Sequence, residues 1–190
     1  AHALHDSRHV DHVTDKNGTR NVIRTPANNK LRMEDKRGEE HIKLSTEYGG
    51  KTQLNLGHNV DASRELRGEG AELRTDDWIS IRGGKGIFIS ADMQPQAQGK
   101  MLDMDEAIRQ LEQALSLARS MAKAATAANA TQGDISCQQR LNASLTDLTA
   151  PGMLLHAPDG IGMVSARALR IASGSESVGI MSGDNTDITA

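Results

Sequence analysis

The chain has 190 residues, with Lys and Arg totalling 22, Asp and Glu totalling 25, and a formal net charge of −3. That length holds one domain, or one domain with an insertion, and near-balanced charge with no basic block excludes a nucleic-acid footprint. Aromatic residues are 2% of the chain (Tyr48, Trp78 and Phe88), too few to build a deep single-chain core. No run of about 20 apolar residues spans a membrane, and the first residues lack the apolar stretch of a signal peptide. Cys137 is the single cysteine; it excludes an internal disulfide and reads as a free thiol in a reducing compartment.

Residues 1–27 read as a polar, partly ordered lead-in. His2, His5, His9 and His12 have helix-like spacing but no Cys or acidic residue completes a metal site. Val22 and Ile23 open a strand series after the Asn17-Gly18 turn signal. From 28 to 100, short segments alternate with period two: Leu31-Arg32-Met33, Ile42-Lys43-Leu44, Leu54-Asn55-Leu56, Ile79-Ser80-Ile81 and Ile87-Phe88-Ile89. Each reads as a half-buried strand. Turns are expected at 35–38, 48–50 and 83–86. The intervening Arg32, Lys43, Asn55 and Ser80 predict one wet face and one dry face. Residues 57–71, polar and glycine-containing with one Leu66, read as a longer loop or irregular turn.

Between 101 and 149 the period changes. Met104, Ile108, Leu111, Leu115, Ala118, Ala122, Ala125 and Asn129 are spaced alternately four and three apart, a heptad stripe. It predicts a helix over about 103–130, capped by Asp103 with Glu106 three residues on, and stopped at Gly133. Leu141, Leu145 and Leu148 predict a shorter second helix ending near Pro151-Gly152, so that the two make an antiparallel helical hairpin inserted into a β architecture. From 150 to 190 the strand pattern resumes at Leu154, Ile161/Met163, Leu169/Ile171, Val178/Ile180 and Ile188. Ala1 begins mid-pattern and Ala190 carries no polar end cap of the kind a repeat array needs. The chain is therefore expected to be a stretch of a longer protein.

One thin apolar edge per strand stabilises little within one chain. Two aliphatics buried at about 1.5–3 kcal/mol each barely offset the ordering entropy of the five or six residues that carry them. Three chains wound together would let those edges meet on a shared axis and would pair every strand edge. The expected fold is therefore mainly β: a trimeric, intertwined triple-stranded β-helix, a β-prism needle, with the helical hairpin inserted. Its trimer core would comprise Leu31, Met33, Ile42, Leu44, Leu54, Leu56, Ile79, Ile81, Ile87, Ile89, Ile161, Met163, Leu169, Ile171, Val178 and Ile180. Met104, Ile108, Leu111, Leu115, Leu141, Leu145 and Leu148 would pack the helices. A single-chain parallel β-helix and a β-sandwich are the rivals; the sandwich wants larger inward residues and clear hairpin turns.

Several stretches occur in an order that resembles a known family. The runs 29–50 (NKLRMEDKRGEEHIKLSTEYGG), 51–59 (KTQLNLGHN), 68–76 (GEGAELRTD) and 81–91 (IRGGKGIFISA) are similar to the start of the needle in VgrG, the type VI secretion spike family. The helical insertion and the APDGI of 157–161 fit the same family, so the resemblance covers roughly 25–190. It implies a homotrimeric spike, the counterpart of a contractile phage tail spike. It also implies a seat on an inner-tube protein, a tip protein and effectors as cargo, and transient contact with a target membrane. Assembly in the bacterial cytoplasm followed by secretion to the extracellular space or into the target cell would follow.

Catalytic chemistry finds little purchase. Glu39-Glu40-His41 and Asp76-Asp77 offer adjacent carboxylates, but sequence neighbours on a strand point to opposite faces. Gly83-Gly84-Lys85-Gly86 lacks the spacing and the Ser or Thr of a phosphate loop, and Asp184 with Asp187 lacks a calcium loop. Asn17, Asn129 and Asn142 lie in chance glycosylation sequons. No catalytic, cofactor-binding or metal residue is assigned, no cofactor is expected, and the chain reads as a non-enzyme. A tailspike-like carbohydrate-binding or glycosidase β-helix is the alternative; it would want clustered acids at glycosidase spacing and aromatic sugar platforms.

Overall fold

The computed structural model describes residues 14–189. His2, His5, His9 and His12 therefore lie outside the described residues. The chain divides into two compact units, Ala1–Ser80 and Ile81–Ala190. By element count it is mainly β: seven strands stand against two helices of more than a turn, and no barrel closes among the described residues.

The first unit is one antiparallel meander. Strands β1 (Arg20–Arg24), β2 (Lys30–Glu34), β3 (His41–Ser45), β4 (Gln53–Val60) and β5 (Leu66–Arg74) pair in sequence order. Local chemistry fixes each connection. Asn28 takes φ 62° in the first turn, Gly38 takes φ 79° in the second, and Gly49 and Gly50 take φ 63° and 67° in the single turn of Tyr48–Lys51. All lie in the left-handed region that Gly and Asn tolerate. In the fourth turn Asp61 Oδ1 accepts the backbone N–H groups of Ser63 and Glu65 at 2.7 and 3.0 Å, an Asx-type closure.

Residues 57–71 are not the loop expected from their polarity. Most of them lie in β4 and β5, which share the longest ladder of the chain, with a register shift between Asn59 and Val60. Their side chains are polar because this end of the hairpin carries no apolar row, and periodicity alone cannot see a strand that is polar on both faces. Gly57 makes the pairing possible: at φ 92°, a Cβ there would stand 2.4 Å from the carbonyl oxygen of Glu40, the residue just before β3.

The second unit is built around a parallel pair. β6 (Ile87–Ser90) and β7 (Met153–His156) run side by side, with Phe88 opposite Leu154. Between them the chain makes helices α1 (Asp105–Ala127) and α2 (Ile135–Leu145) and a 3-10 turn at Thr146–Leu148. The helices are antiparallel neighbours: Asn142 Nδ2 donates to the Leu111 carbonyl at 2.8 Å, while Ala118 and Ala122 line one cavity with Cys137. Met104, Ala107, Leu145 and Leu154 form the buried cluster, with Phe88, Ile108, Leu111 and Leu148 packed against it. The Phe88–Leu154 row of the strand pair thus faces the unit's own helices. Period-two alternation sends Ile87, Ile89, Met153 and Leu155 to the other face.

Both helix ends differ from the expected signals. The residue at the cap of α1 is Met104, whose side chain is buried in the cluster, and Asp103 makes no cap bond. Packing has won over capping at that end. At the other end Asn129 takes the left-handed position (φ 53°) and Ala130 N–H reaches back to the Ala125 carbonyl at 2.8 Å. That is a Schellman-type stop with Asn in the usual Gly place, four residues before Gly133. For α2, Asp134 accepts the Cys137 N–H at 2.9 Å as a true N-cap.

The segments Ile79-Ser80-Ile81, Ile161/Met163, Leu169/Ile171 and Val178/Ile180 form no strand within the chain. Their aliphatic side chains are half or more exposed. The alternation is present in sequence, but no intrachain ladder forms at these segments.

Candidate functional site

Cross-strand register sorts the five-stranded sheet into two faces. On one, Ile23, Leu31, Leu44, Leu54 and Leu73 lie in a single row across all five strands, and Met33, Ile42, Leu56 and Ala71 form a second row beside it. On the other, Val22, Arg32, Lys43, Asn55 and Glu72 make the matching row, flanked by Arg20, Glu34 and His41 and by Lys30, Ser45 and Gln53.

Burial reverses the usual order of these faces. The polar face is the covered one: Glu34, Ser45, Gln53 and Asn55 are 5–7% exposed. The apolar face is open, with Leu44 55% and Ile42 44% exposed. The expectation of one wet and one dry face holds for residue type, but within a single chain the dry face is the one left in solvent. An apolar surface running across five strands is larger than the scattered exposed aliphatics of an ordinary surface, and such patches mark interaction sites.

Hydrogen bonds tie the strands together on the polar face. Glu34 accepts from Thr19 Oγ1 and from Arg20 Nε at 2.8 Å. Burial alone would raise its pKa, but the Thr19 and Arg20 hydrogen bonds and the Arg20 charge outweigh it and hold the carboxyl below its usual range. Glu72 is clasped by both guanidinium nitrogens of Arg67 and by Asn55 Nδ2 at 2.7 Å. The Arg67 hydrogen bonds pull its pKa down to about 2. His41 is pushed down, chiefly by burial. Sequence reasoning had no access to this network: Arg20–Glu34 and Asn55–Glu72 join different strands, and no motif signals the Arg67–Glu72 clasp within β5.

The residues weighed for catalysis serve turns. Glu39 pairs with Lys36, Glu40 accepts the Gly38 N–H at 2.8 Å, and the Glu39 carbonyl meets His41 Nδ1 at 2.9 Å. Asp76 pairs with Arg74 at 2.8 Å, and its N–H donates to the Gly49 carbonyl at 3.1 Å. Gly86 N–H donates to the Gly83 carbonyl at 3.0 Å, closing the corner that leads into β6. Ser182 Oγ accepts the Asp184 N–H at 3.2 Å. Asn142 is buried between the helices, and Asn17 accepts from the Thr14 N–H through Oδ1. Among the described residues no group of His, Cys, Asp and Glu is arranged to hold a metal ion.

The second unit repeats the pattern of open apolar edges. Ile89 is half exposed, and Ile161, Met163, Leu169, Ile171, Val178 and Ile180 all stand out from the surface. Of the residues expected to pack the helices, Met104, Ile108, Leu111, Leu145 and Leu148 lie in or against the buried cluster. Leu115 is half-buried, and Leu141 is half exposed at the rim of a cavity of about 450 Å³ shared with 177–181. The Asp92 carboxylate, meanwhile, holds His156 Nδ1 at 2.7 Å beside the end of β7, a pairing 64 residues apart that no motif signals.

The family model described as "type VI secretion system Rhs element Vgr" matches residues 20–125, which include the whole sheet, β6 and most of α1. The chain belongs to this family. It is 30% identical over 178 residues to the type VI secretion system spike protein VgrG2b of Pseudomonas aeruginosa, covering 85% of this chain and 17% of that protein. It is 33% identical over 123 residues to VgrG2a of the same organism, covering 63% of this chain and 14% of that protein. The chain thus spans less than a fifth of the length of these VgrG relatives. The match makes it a type VI secretion spike component by family, and the carbohydrate-active alternative gains no support from it. No helix among the described residues is long and apolar enough to cross a membrane.

Proposed function

We propose that this chain is the needle segment of a VgrG-type spike and works as a structural homotrimer rather than an enzyme. The observation that carries the reading is the open apolar face of the sheet, together with the alternating aliphatics that find no partner strand in their own chain. Three copies wound into a triple-stranded β-helix would bury Leu31, Met33, Ile42, Leu44, Leu54 and Leu56 around a shared axis. They would do the same for the aliphatics of 79–81, 87–89 and 161–180, and would supply the missing ladder partners. A shaft in which each strand is shared between chains resists bending and unzipping, which suits a part driven through a target envelope by sheath contraction. In this reading the spike rides on an inner-tube protein, carries a tip protein and effectors, touches the target membrane transiently, and passes from the bacterial cytoplasm to the outside or into the target cell.

The helical hairpin of 101–149 is proposed as a collar outside the shaft. Its own cluster covers the Phe88–Leu154 row and leaves the opposite row of β6 and β7 free for other copies. Light scattering tests the assembly directly. A mass of three times 20.4 kDa is expected, and a stable monomer at micromolar concentration would overturn the proposal.

A further inference from the structure

On the polar face of the first unit the sheet and the fourth turn enclose a cleft of about 390 Å³. Lys30, Arg32, Lys43, Lys51 and Arg64 line it, and none of them has a carboxylate within ion-pair distance among the described residues. Arg32 and Lys43 are direct cross-strand partners, an arrangement of like charges that destabilises a sheet. The Arg32 Nε is buried without an acceptor. Of the acids nearby, Asp61 serves the N–H groups of its own turn, Glu72 is held by Arg67 and Asn55, Glu34 by Thr19 and Arg20, and Glu47 accepts from Asn28 Nδ2. The first unit therefore gathers five cations at one place: the Glu47 and Glu34 charges act on Lys30 and Arg32, but no carboxylate pairs directly with any of the five among the described residues. Burial and the charges of Lys51, Arg32, Lys30 and Arg67 together push Lys43 down to about 8.

We propose that this cleft is a binding site for a compact oligophosphate, two or three linked phosphate groups presented without a large apolar body. The cleft volume falls in the range of small-ligand sites. Guanidinium forks and ammonium groups together are the donor set that phosphate oxygens accept from most strongly. Val60 and Ala62 are the apolar lining residues and no aromatic ring is present, so the cleft offers a base or an acyl chain nothing to stack on. The site uses the face opposite the apolar rows, and light scattering reports on assembly separately.

The test is titration calorimetry of the full chain with inorganic tripolyphosphate. Its comparison arms are phosphatidylglycerol vesicles and a poly-glutamate peptide at matched ionic strength. One saturable site per chain for tripolyphosphate is expected, weakening as salt is raised. Lys43→Gln and Arg64→Gln should each weaken it about tenfold or more, the loss of one charge-assisted contact. Lys43→Arg should retain binding, and Arg37→Gln, in the turn outside the cleft, should bind within about twofold of the parent. Circular dichroism checks that each variant is folded, and the salt dependence and the Lys43→Arg result stand even where a Gln variant is not. Absence of saturable tripolyphosphate binding, equal binding by the Gln variants, or binding to vesicles or peptide alone overturns the proposal.

Discussion

Leu44 sits at the centre of the apolar row that crosses all five strands, between Leu31 and Leu54. Full burial of a leucine contributes about 1.5–3 kcal/mol, and 55% of this side chain is still exposed in the single chain. Closing that remainder against other copies is worth about 0.8–1.6 kcal/mol per chain, hence about 2.5–5 kcal/mol for three chains. Leu44→Ala should therefore weaken trimer association by roughly two to three and a half orders of magnitude, at 1.4 kcal/mol per tenfold. Leu44→Asp should abolish it at micromolar concentration, since three carboxylates would each lose several kcal/mol of solvation in a dry interior. Sedimentation velocity across a dilution series reads both effects, with Arg37→Ala in an exposed turn as the reference substitution. If Leu44→Asp still sediments as a trimer with the parent's affinity, the open sheet face is not the surface that joins the chains.

Three further outcomes are expected. Removing residues 103–149 should leave a shorter, soluble trimer, because 91–102 and 150–152 still exceed the dozen or so residues a parallel crossover needs; loss of trimerisation on light scattering would refute the collar assignment. Asn142→Ala removes the side-chain bond to the Leu111 carbonyl and leaves a small void, and should lower stability by about 1–3 kcal/mol in a urea titration. Glu72 has a folded pKa of about 2 against an ordinary 4.5. Its contribution is therefore fully present above the unfolded value and is lost as pH falls through that window. Thermal unfolding should show Glu72→Gln flattening the acid-side loss of stability, and an unchanged pH profile would remove Glu72 from that role.

The elements that sequence made legible are those whose partners lie nearby along the chain. Period-two segments at 31–33, 42–44 and 54–56 became β2, β3 and β4, and the glycines and asparagines between them became the turns. The heptad stripe became α1, because a helix writes its packing face into its own spacing. What could not be read was set by residues far apart. β5 is polar on most positions and exists because β4 offers it a ladder. The start of α1 was settled by the packing of Met104 against Leu145 and Leu154 rather than by a cap. The Arg20–Glu34 pair closes across two strands, Asp92 just past β6 reaches His156 at the end of β7, and the cationic cleft draws on several elements at once.

The inverted sheet accounts for the composition. A single chain that had to bury its own strands would need large side chains on the inner face, and with three aromatics in 190 residues this one has almost none to supply. Its apolar residues are instead medium-sized aliphatics in two rows, a size that would suit the short space at the axis of the proposed trimer. The polar face meanwhile is tied by Glu34 and Glu72 to arginines within the same sheet, so the meander is held together without using its apolar rows. A fold stabilised on its polar side keeps its hydrophobic side free, and in the proposed trimer burying that side would drive assembly. The same division would account for the alternating segments of 157–189, which form no strand within the chain: in the proposed trimer, their edges would be paired by a second chain.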